Sequence, residues 1–322
     1  MPRINNAIDF RLLSKVASLY YHQNYSQLEI ANKLNLSRPK VSRLLKEARE
    51  RGVVRITVNY SDKNFVDIEV KLEEKYHLKE VVIVDIDPDS YGEDSPFLKR
   101  QMGAEAANYL QRIITKGDVL GVTWGTTLQE MVESIRPQQI EDLHIVQLLG
   151  GVGPPEAKAH AADLSRRLAH LFYGTLTLLP APGIASNPDS KKALLSDQQV
   201  KSAFDLFPKV TKAFVGIGSL STNPVLDGDD NPIAPQIHRE LMEKDAVGDI
   251  SLRFFDKHGK PVKTTLQERL IGIELDQLKK IKNVVAIAGG KNKIDAIRGA
   301  LRGGYIDVLI TDIFTAKSLA NV

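Results

Sequence analysis

The chain has 322 residues, an ordinary share of apolar and charged side chains, and a net charge of only +3. This length allows one large domain or two smaller ones with a sizeable apolar core. The sequence contains no cysteine, which excludes disulfides and thiolate metal sites, and it contains no apolar run long enough to span a bilayer. With no signal-peptide pattern at the N-terminus, these features predict a soluble, cytoplasmic protein with no membrane partner.

Near the N-terminus, residues 9–22 predict a first helix, and two helix-start signals follow it closely. Ser26 stands three residues before Glu29, which is the spacing of a capping box. Ser37 is a second N-cap, and Pro39 suits the first turn of the helix that it begins. Two short helices joined by a tight turn are the pattern of a helix-turn-helix.

Other residues indicate where the turn and the end of the second helix lie. Asn35, in the turn between the two helices, tolerates a left-handed backbone, and Gly52 is placed to end the second helix. Residues 53–60 are β-branched and alternating, which predicts a strand or wing beside the helices.

The second helix has a cation every few residues along its length. Residues 1–60 hold eleven Lys and Arg against four Asp and Glu, a net charge of +7, so residues 61–322 carry about −4. A charge run on a helix often marks only a solvated face, but this regional imbalance favours a DNA-binding head. A recognition helix enters the major groove by its N-terminal end. The predicted DNA-binding residues are Ser37, Arg38, Lys40, Ser42, Arg43 and Lys46.

A boundary is predicted at residues 61–64, because apolar residues then recur at helical spacing over 65–76 with charges between them. We interpret 61–78 as a linker helix, which either contributes to a dimer contact or packs on its own domain. The predicted domains are therefore a helix-turn-helix domain at 1–60, this linker, and an effector-binding and oligomerisation domain at 79–322.

From about residue 80, apolar runs alternate with helical stretches, which is typical of a mostly parallel sheet with helices on both faces. The predicted strands are 81–86, 118–124, 143–149, 176–180, 213–218, 284–288 and 306–311. Residues 247–262 interrupt the alternation and predict a small antiparallel hairpin that turns at 257–259. The predicted fold class is α/β, with the helix-turn-helix domain followed by a doubly wound effector domain.

Four of the predicted strands end in small or glycine-rich turns. The carboxyl ends of the strands face the ligand crevice of an open α/β sheet, where glycine lets the backbone approach a ligand and helix N-termini bind anions. One turn also carries threonines and another is followed by lysines. Hydroxyl and ammonium groups at these turns favour a site that binds phosphate. None is a Walker A loop or a dinucleotide fingerprint. These turns are Gly125-Thr126-Thr127, Gly150-Gly151, Gly218-Ser219 and Gly289-Gly290, the last followed by Lys291 and Lys293.

Signals of catalysis are missing from the sequence. The seven histidines lack metal-ligand spacing, and there is no G-x-S-x-G elbow. We therefore predict no catalytic residue, no metal ligand and no cofactor. Asp249 either orients sugar hydroxyls or caps the hairpin, and Trp124 suits core packing better than ring stacking.

Over nearly its whole length the chain resembles the SorC family of bacterial sugar-responsive transcription regulators, and within it most of all the deoxyribonucleoside regulators. The resemblance rests on YYHQNYSQLEIANKLNLSRPKVSRLLKEARERGVVRI at the head and on GVTWGTT, VQLLGGVG, VGIGS, AVGDISLRFFD and AGGKNKIDAIRGAL in order. It implies an effector domain related in fold to sugar-phosphate isomerases, a phosphorylated sugar as inducer, and an oligomer, commonly a tetramer, on operator DNA. Carried onto this chain, its effector-binding positions are Gly125, Thr126, Thr127, Gly150, Gly151, Gly218, Asp249, Gly290 and Lys293.

The predicted function is a DNA-binding regulator, specifically a repressor, of a carbohydrate or nucleoside catabolic operon, acting as a dimer or tetramer. The alternative is a sugar-phosphate isomerase-like enzyme with an appended DNA-binding domain, which the missing acid–base pairs argue against. A third possibility, a DNA binder that needs no ligand, leaves the crevice unexplained.

Overall fold

The computed structural model describes residues 10–54, 65–88, 92, 95–152, 160–222 and 234–321. The chain divides into two compact units, residues 1–64 and 65–322. Most of the strand or wing predicted at 53–60, and the boundary predicted at 61–64, lie outside the described residues. None of the helices in the described ranges combines the length and the apolar character needed to cross a bilayer.

Three helices form the described part of the first unit. They are α1 (Phe10–Ala17, continued by a π-helical turn at Ser18–His22), α2 (Gln27–Lys33) and α3 (Arg38–Glu50). Their apolar faces meet in one small cluster that includes Leu13, Ile30 and Leu44, each almost completely buried. The predicted helix-turn-helix is present, with α1 packed against α3.

Local hydrogen bonds cap α2 and α3 at the ends that the sequence predicts. The Ser26 N–H donates to the Glu29 carboxylate at 2.8 Å, and the Glu29 N–H donates to the Ser26 hydroxyl at 3.3 Å, so α2 begins with a complete capping box. Asn35 (φ 54°) and Gly52 (φ 71°) both adopt left-handed conformations, which these two residue types tolerate. The turn between α2 and α3, and the end of α3, follow from these local preferences.

The second unit is built on a seven-stranded sheet in which all neighbouring strands are parallel. Its helices are α4 (Val66–Tyr76), α5 (Pro96–Ile113), α6 (Thr126–Ser134), α7 (Ala161–Phe172), α8 (Pro188–Ser196), α9 (Gln198–Phe204), α10 (Ala234–Glu243), α11 (Leu275–Leu278), α12 (Ile294–Arg302) and α13 (Ile313–Ala320). Its strands are β1 (Glu80–Val84), β2 (Val119–Val122), β3 (His144–Gln147), β4 (Thr175–Thr177), β5 (Lys212–Gly216), β6 (Gly218–Ser219), β7 (Ala246–Ile250), β8 (Arg253–Asp256), β9 (Asn283–Ile287) and β10 (Val308–Asp312).

The order of strands across the large sheet is β1-β10-β9-β5-β2-β3-β4. From β2 the chain moves outward through β3 to β4, and from β5 it moves outward in the other direction through β9 to β10. The direction therefore reverses between the neighbouring strands β2 and β5. Such a switch point opens a crevice beyond the carboxyl ends of the strands, which is where open α/β sheets bind ligands.

The seven predicted parallel strands are all present within a few residues of their expected ends. Their continuous apolar runs reflect burial on both faces; in β5, for example, Ala213, Phe214 and Val215 are all fully buried. Helices α5 and α6 cross closely, and Gly103 on α5 allows this. A Cβ at Gly103 would lie only 2.5 Å from the Cβ of Glu130 on α6. This close crossing brings the first turns of both helices to the crevice edge.

The antiparallel insertion is present, but its main turn differs from the prediction. Strands β6, β7 and β8 form a small antiparallel sheet, and β7 reverses into β8 at Ser251 and Leu252, which both adopt left-handed conformations. The predicted turn at 257–259 lies in a second reversal, which pairs Phe255 with Pro261. Two residues without the usual Asn or Gly gave no sequence signal for the first turn.

Helix α4 covers the outer edge of β1. Leu72 is fully buried in the main core, and the carboxylates of Glu73 and Glu69 accept the outward N–H groups of Val81 (2.8 Å) and Ile83 (2.9 Å). An edge strand otherwise leaves such groups open to pairing with another chain. The helix interpreted as a linker is thus packed on the second unit, the second of the two roles considered for it.

Candidate functional site

The basic face of α3 is the first candidate site. All six predicted DNA-binding residues, Ser37, Arg38, Lys40, Ser42, Arg43 and Lys46, are exposed to solvent. The Ser37 hydroxyl accepts the Lys40 N–H at 3.4 Å, so this serine also caps the helix. Lys46 lies 3.8 Å from Glu50 in an exposed pair of the kind that contributes little stability. The cations are therefore displayed on the surface, and the fold does not depend on them.

The second candidate site is a pocket at the carboxyl ends of the parallel strands. It lies beside the switch point, between the first turns of α5 and α6 and the segment that joins β9 to α12. The residues that line it are Gly92, Ser95, Leu98, Lys99, Met102, Thr127, Gly289, Gly290, Asn292 and Lys293. It combines two ammonium groups with hydroxyl, amide and backbone donors.

Three helices begin at this pocket. The Ser95 hydroxyl caps α5 by accepting the Leu98 N–H at 3.3 Å. Helix α6 starts directly after Gly125, and α12 starts after a 3-10 turn at Lys291–Lys293; within the described part of the chain, no side chain caps either start. The first N–H groups of a helix have no partner within the helix and carry its positive partial charge. Three such ends around one pocket make it suitable for an anion.

Charge in the pocket has a single sign. Lys99 and Lys293 are both half-buried, and the described lining contains no acidic side chain. Partial removal from water strengthens the field of such a pair compared with lysines on an open surface. The described lining of the pocket therefore carries positive charge only.

The glycine turn after β9 is held from behind by a buried carboxylate. The Gly290 N–H donates to Asp312 Oδ2 at 2.8 Å and to Thr315 Oγ1 at 3.0 Å, and a side chain at Gly289 would overlap the same carboxylate. Gly290 has φ 97°, which favours glycine. The Gly290 N–H is thus already hydrogen-bonded within the protein. Gly290 contributes to the pocket because, without a side chain, its backbone can lie close to a ligand.

The structure brings only some of the predicted effector residues together. Thr127, Gly290 and Lys293 line the same pocket, with Gly125 and the exposed Thr126 immediately before Thr127. The other predicted positions lie outside its lining and are held in two further groups.

Gly218 and Asp249 form one of these groups, because they pair across β6 and β7. The Asp249 carboxylate is buried and accepts the Leu252 N–H at 2.8 Å, so it closes the turn between β7 and β8. Its other oxygen faces Gly218, where a Cβ would overlap it. Strand β6 contacts the Lys291–Lys293 turn, which places this group next to the pocket. Asp249 therefore caps the hairpin, one of the two roles considered for it.

Gly150 and Gly151 form the other group, and their backbones are engaged within the protein. The Gly150 N–H donates to the Ile271 carbonyl, and the Gly151 N–H donates to the Ala181 carbonyl, both at 3.0 Å. A Cβ at Gly150 would lie 2.6 Å from the Ala181 oxygen. Close packing between backbone segments explains the glycine at 150.

Trp124, which precedes Gly125, is half-buried against a second apolar cluster. This agrees with its predicted role in packing. The cluster lies mainly under the small antiparallel sheet and includes Leu252 and Phe254.

Sequence reasoning missed the contribution of α5 to the pocket. Ser95 and Lys99 lie far from Lys293 in the chain, and only the tertiary fold brings them together. The sequence nevertheless indicates where α5 starts, because the N-cap residue Ser95 is followed by Pro96. Lys99 lies one turn after that start. A test for basic residues in the first turn of each helix would have found Lys99.

A buried ion pair lies at the opposite, amino end of the sheet. Lys212 Nζ lies 2.5 Å from Asp118 Oδ2, and Thr211 donates to Asp118 Oδ1 at 2.7 Å. Burial by itself would raise the pKa of Asp118, but the hydrogen bonds from Lys212, Thr211 and Thr115 outweigh it and lower that pKa. This network joins the starts of β2 and β5 and is structural. Among the described residues, no group of three or more His, Asp or Glu could hold a metal ion.

Comparison with known proteins accounts for both units. Residues 61–321 match the family profile described as "Putative sugar-binding domain", and residues 6–55 match that of "Winged helix-turn-helix DNA-binding". The chain is 33% identical over 314 residues to the deoxyribonucleoside regulator of Bacillus subtilis, covering 97% of each chain. It is 32% identical over 322 residues to the sorbitol operon regulator of Klebsiella pneumoniae, covering 98% of this chain and 99% of that one.

The fold agrees with these relatives. The crystal structure of the full-length sorbitol operon regulator SorC from Klebsiella pneumoniae superposes with a TM-score of 0.74 at 30% identity, covering 97% of this chain and 99% of that one. These relatives are transcriptional regulators, which confirms the prediction of a regulator over that of an isomerase-like enzyme. The chain belongs to the SorC family of sugar-binding bacterial transcriptional regulators.

Proposed function

We propose that this regulator represses a carbohydrate or nucleoside catabolic operon and is controlled by a phosphorylated sugar bound in the pocket of the second unit. The observation that carries the proposal is the pocket itself, where Lys99, Lys293 and three helix starts surround one space and the described lining holds no acidic side chain. We also infer that the protein acts in the cytoplasm, where operator DNA is found in bacteria.

The charge of the pocket favours a phosphate monoester over a neutral sugar. A phosphate monoester carries a charge of about −1.5 to −2 at pH 7 and offers three acceptor oxygens. Two lysines balance that charge, while the hydroxyls of Thr127 and Ser95 and the first N–H groups of α6 and α12 supply donors. A neutral sugar offers no negative charge to either ammonium group.

The sugar end of the ligand would extend from the pocket toward Gly218 and Asp249. Strand β6 contacts the turn that carries Lys293, so a small ligand with its phosphate at the lysine reaches this region. Gly218 leaves room for the Asp249 carboxylate beside the backbone, and a carboxylate is a suitable acceptor for sugar hydroxyls. In this proposal Asp249 serves both as the cap of the hairpin and as a neighbour of the sugar.

On the DNA side, we propose that α3 lies in the major groove with Arg38, Lys40 and Arg43 nearest the bases. The exposed position of these side chains at the N-terminal end of a helix-turn-helix recognition helix supports this. One such helix reads only a few base pairs, so specific binding requires paired half-sites and hence a dimer or tetramer.

Calorimetric titration of the purified full-length protein tests the ligand. Suitable probes are 2-deoxyribose 5-phosphate, ribose 5-phosphate and sorbitol 6-phosphate, each beside its unphosphorylated parent, because relatives are named for deoxyribonucleosides and sorbitol. We expect at least one phosphorylated sugar to bind about tenfold or more tightly than its parent, since one charge-assisted hydrogen bond contributes about 1.5–3 kcal/mol. Equal affinity for every phosphorylated and unphosphorylated pair would overturn the phosphate claim.

Binding to a duplex selected by the protein from a random-sequence library tests the DNA side. Affinity should fall steeply as salt rises, because lysines and arginines that contact phosphates release counterions. Sedimentation with and without the duplex should show a dimer or tetramer. A monomer on the duplex, or binding that is independent of salt, would contradict this part of the proposal.

A further inference from the structure

Asp312 is a buried carboxylate with partners on both sides. It is fully buried at the end of β10 and accepts four hydrogen bonds. On one side, its Oδ1 accepts the N–H groups of Phe314 (3.0 Å) and Thr315 (2.8 Å), which caps α13. On the other side, its Oδ2 accepts the Thr315 hydroxyl at 2.7 Å and the Gly290 N–H at 2.8 Å. One carboxylate thus joins the glycine turn of the pocket to the start of α13.

The far end of α13 is bonded to α4. The carbonyl of Leu319, in the last turn of α13, accepts the Lys75 ammonium at 2.9 Å and the Tyr76 hydroxyl at 3.3 Å. Helix α4 begins the second unit, one residue after residue 65, so it is the first helix that follows the DNA-binding unit in the chain. Gly290, Asp312, α13 and α4 therefore form a continuous series of buried or half-buried contacts.

We propose that Asp312 and Thr315 transmit the state of the pocket to α13 and, through α13, to α4. This inference rests on the proposed function, because it assigns a route by which a phosphate-bearing ligand changes DNA affinity. A ligand that contacts the Gly289-Gly290 turn changes the position of the Gly290 N–H. That N–H is bonded to the two residues that fix the first turn of α13, so the helix responds to any change in the turn.

A merely structural role for Asp312 predicts a different result. If the carboxylate only stabilised the fold, its loss would lower the melting temperature and the ligand affinity. The effect of saturating ligand on DNA affinity would then stay the same. If Asp312 transmits the signal, loss of the carboxylate reduces the change in DNA affinity that the ligand causes, even when the ligand saturates every pocket. Coupling is the ratio of DNA dissociation constants with and without saturating ligand.

The substitution Asp312→Asn isolates the transmitting bond. Asparagine keeps one oxygen that can cap α13, but its NH₂ group replaces Oδ2 and faces the Gly290 N–H, donor against donor. Asp197→Asn is the matched control, since Asp197 caps α9 through the N–H groups of Gln199 (2.8 Å) and Val200 (3.3 Å) and does not line the pocket.

The measurement is fluorescence anisotropy of the selected duplex with full-length protein, with and without the sugar phosphate that binds most tightly in calorimetry. Coupling in allosteric proteins is typically about 5- to 150-fold. We expect the wild type and Asp197→Asn to lie in that range and Asp312→Asn to fall below about twofold at saturation. Wild-type coupling in Asp312→Asn would overturn the inference.

A second pair of variants covers the case in which Asp312→Asn does not fold. Thr315→Val removes the hydroxyl that bonds both Asp312 and Gly290 while keeping the side-chain shape, and Thr315→Ser restores a hydroxyl. Reduced coupling in the valine variant with recovery in the serine variant supports the inference, and equal coupling in both overturns it. Failure of the proposed function looks different, because the wild type itself would then show no preference for a phosphorylated sugar.

Discussion

The helix-turn-helix unit displays its candidate residues on one face of a single helix, whereas the sugar-binding unit gathers its candidate residues from distant parts of the chain. In the first unit, Arg38, Lys40 and Arg43 lie within two turns of α3 and are exposed. In the second, Ser95, Thr127 and Lys293 meet only because the strands that precede them, β1, β2 and β9, belong to one parallel sheet whose carboxyl ends lie at the same edge.

This difference determines how function and stability are linked in each unit. Exposed cations on α3 contact no core, so their removal should change DNA affinity and leave folding nearly unchanged. Around the crevice, glycines and buried carboxylates hold the backbone in place, so many substitutions there change folding and binding together. This contrast predicts different outcomes for single substitutions in the two units.

Lys293→Ala should weaken binding of the sugar phosphate by about 10- to 150-fold, because a charge-assisted hydrogen bond to a phosphate contributes about 1.5–3 kcal/mol. Lys291→Ala is the matched control, since Lys291 lies in the same turn, is exposed and does not line the pocket. Calorimetry of both variants provides the comparison. DNA affinity without ligand should be the same in both, and equal losses of ligand affinity would show that only general positive charge matters.

Arg43→Ala should weaken binding to the selected duplex by about 1–3 kcal/mol if Arg43 reads a guanine, and it should relax specificity at one position. Arg49→Ala is the control, because Arg49 is an exposed arginine nearer the C-terminal end of the same helix. Anisotropy with single-base variants of the duplex separates the two. The same loss on every duplex would make Arg43 a phosphate contact, and an unchanged melting temperature would confirm that the face is independent of the core.

The three described helices of the first unit could be predicted from the sequence, because their signals are local. The Ser26 box, the Ser37 cap and the left-handed Asn35 each act within a few residues, and all three are present. The parallel strands were equally visible, since strands buried on both faces must be apolar throughout. Local rules therefore sufficed for the helix-turn-helix and for the content of the sheet.

The pocket was only partly predictable, because its membership depends on strand order. Thr127, Gly290 and Lys293 were identified from glycine turns, but the same rule also selected Gly150, which packs against backbone at the Ala181 carbonyl. Lys99 was not predicted as a pocket residue, because it does not follow a glycine turn at the end of a strand. Sequence alone does not distinguish a glycine that admits a ligand from one that admits another backbone.

A pair of alanine substitutions makes that distinction. Gly150→Ala should destabilise the second unit by about 1–3 kcal/mol, because its Cβ would lie 2.6 Å from the Ala181 oxygen and 2.7 Å from the Gly183 nitrogen, and backbone atoms move at high cost. Gly151→Ala should change stability by less than about 0.5 kcal/mol, because none of the described residues beyond its two chain neighbours lies within 4 Å of its Cβ position. Urea denaturation measures both. Equal stability of the two variants would show that Gly150 is not fixed by packing.

The smallest expected effect concerns α4, the helix that follows the DNA-binding unit in the chain. Burial raises the pKa of Glu69 above its usual value of 4.5, the Ile83 hydrogen bond offsets part of this, and the charges of Glu73 and Glu80 raise the pKa further. A carboxyl group whose pKa is raised by folding binds its proton more tightly in the folded state. Its contribution to stability is therefore largest at low pH and is lost as the pH rises from its unfolded pKa through its raised folded pKa.

Glu69→Gln tests this directly, because glutamine can still accept the Ile83 N–H at the edge of β1 but does not titrate. The melting temperature of the variant relative to wild type should rise between pH 4 and pH 7, by a few degrees at most. Glu74→Gln, an exposed position on the same helix, should show no such trend. A flat difference for Glu69→Gln would mean that folding does not raise the pKa of Glu69, and a falling difference would mean that its carboxylate stabilises the edge of β1 by its charge. Helix α4 would then resemble the basic face of α3, where charge acts without a cost of burial.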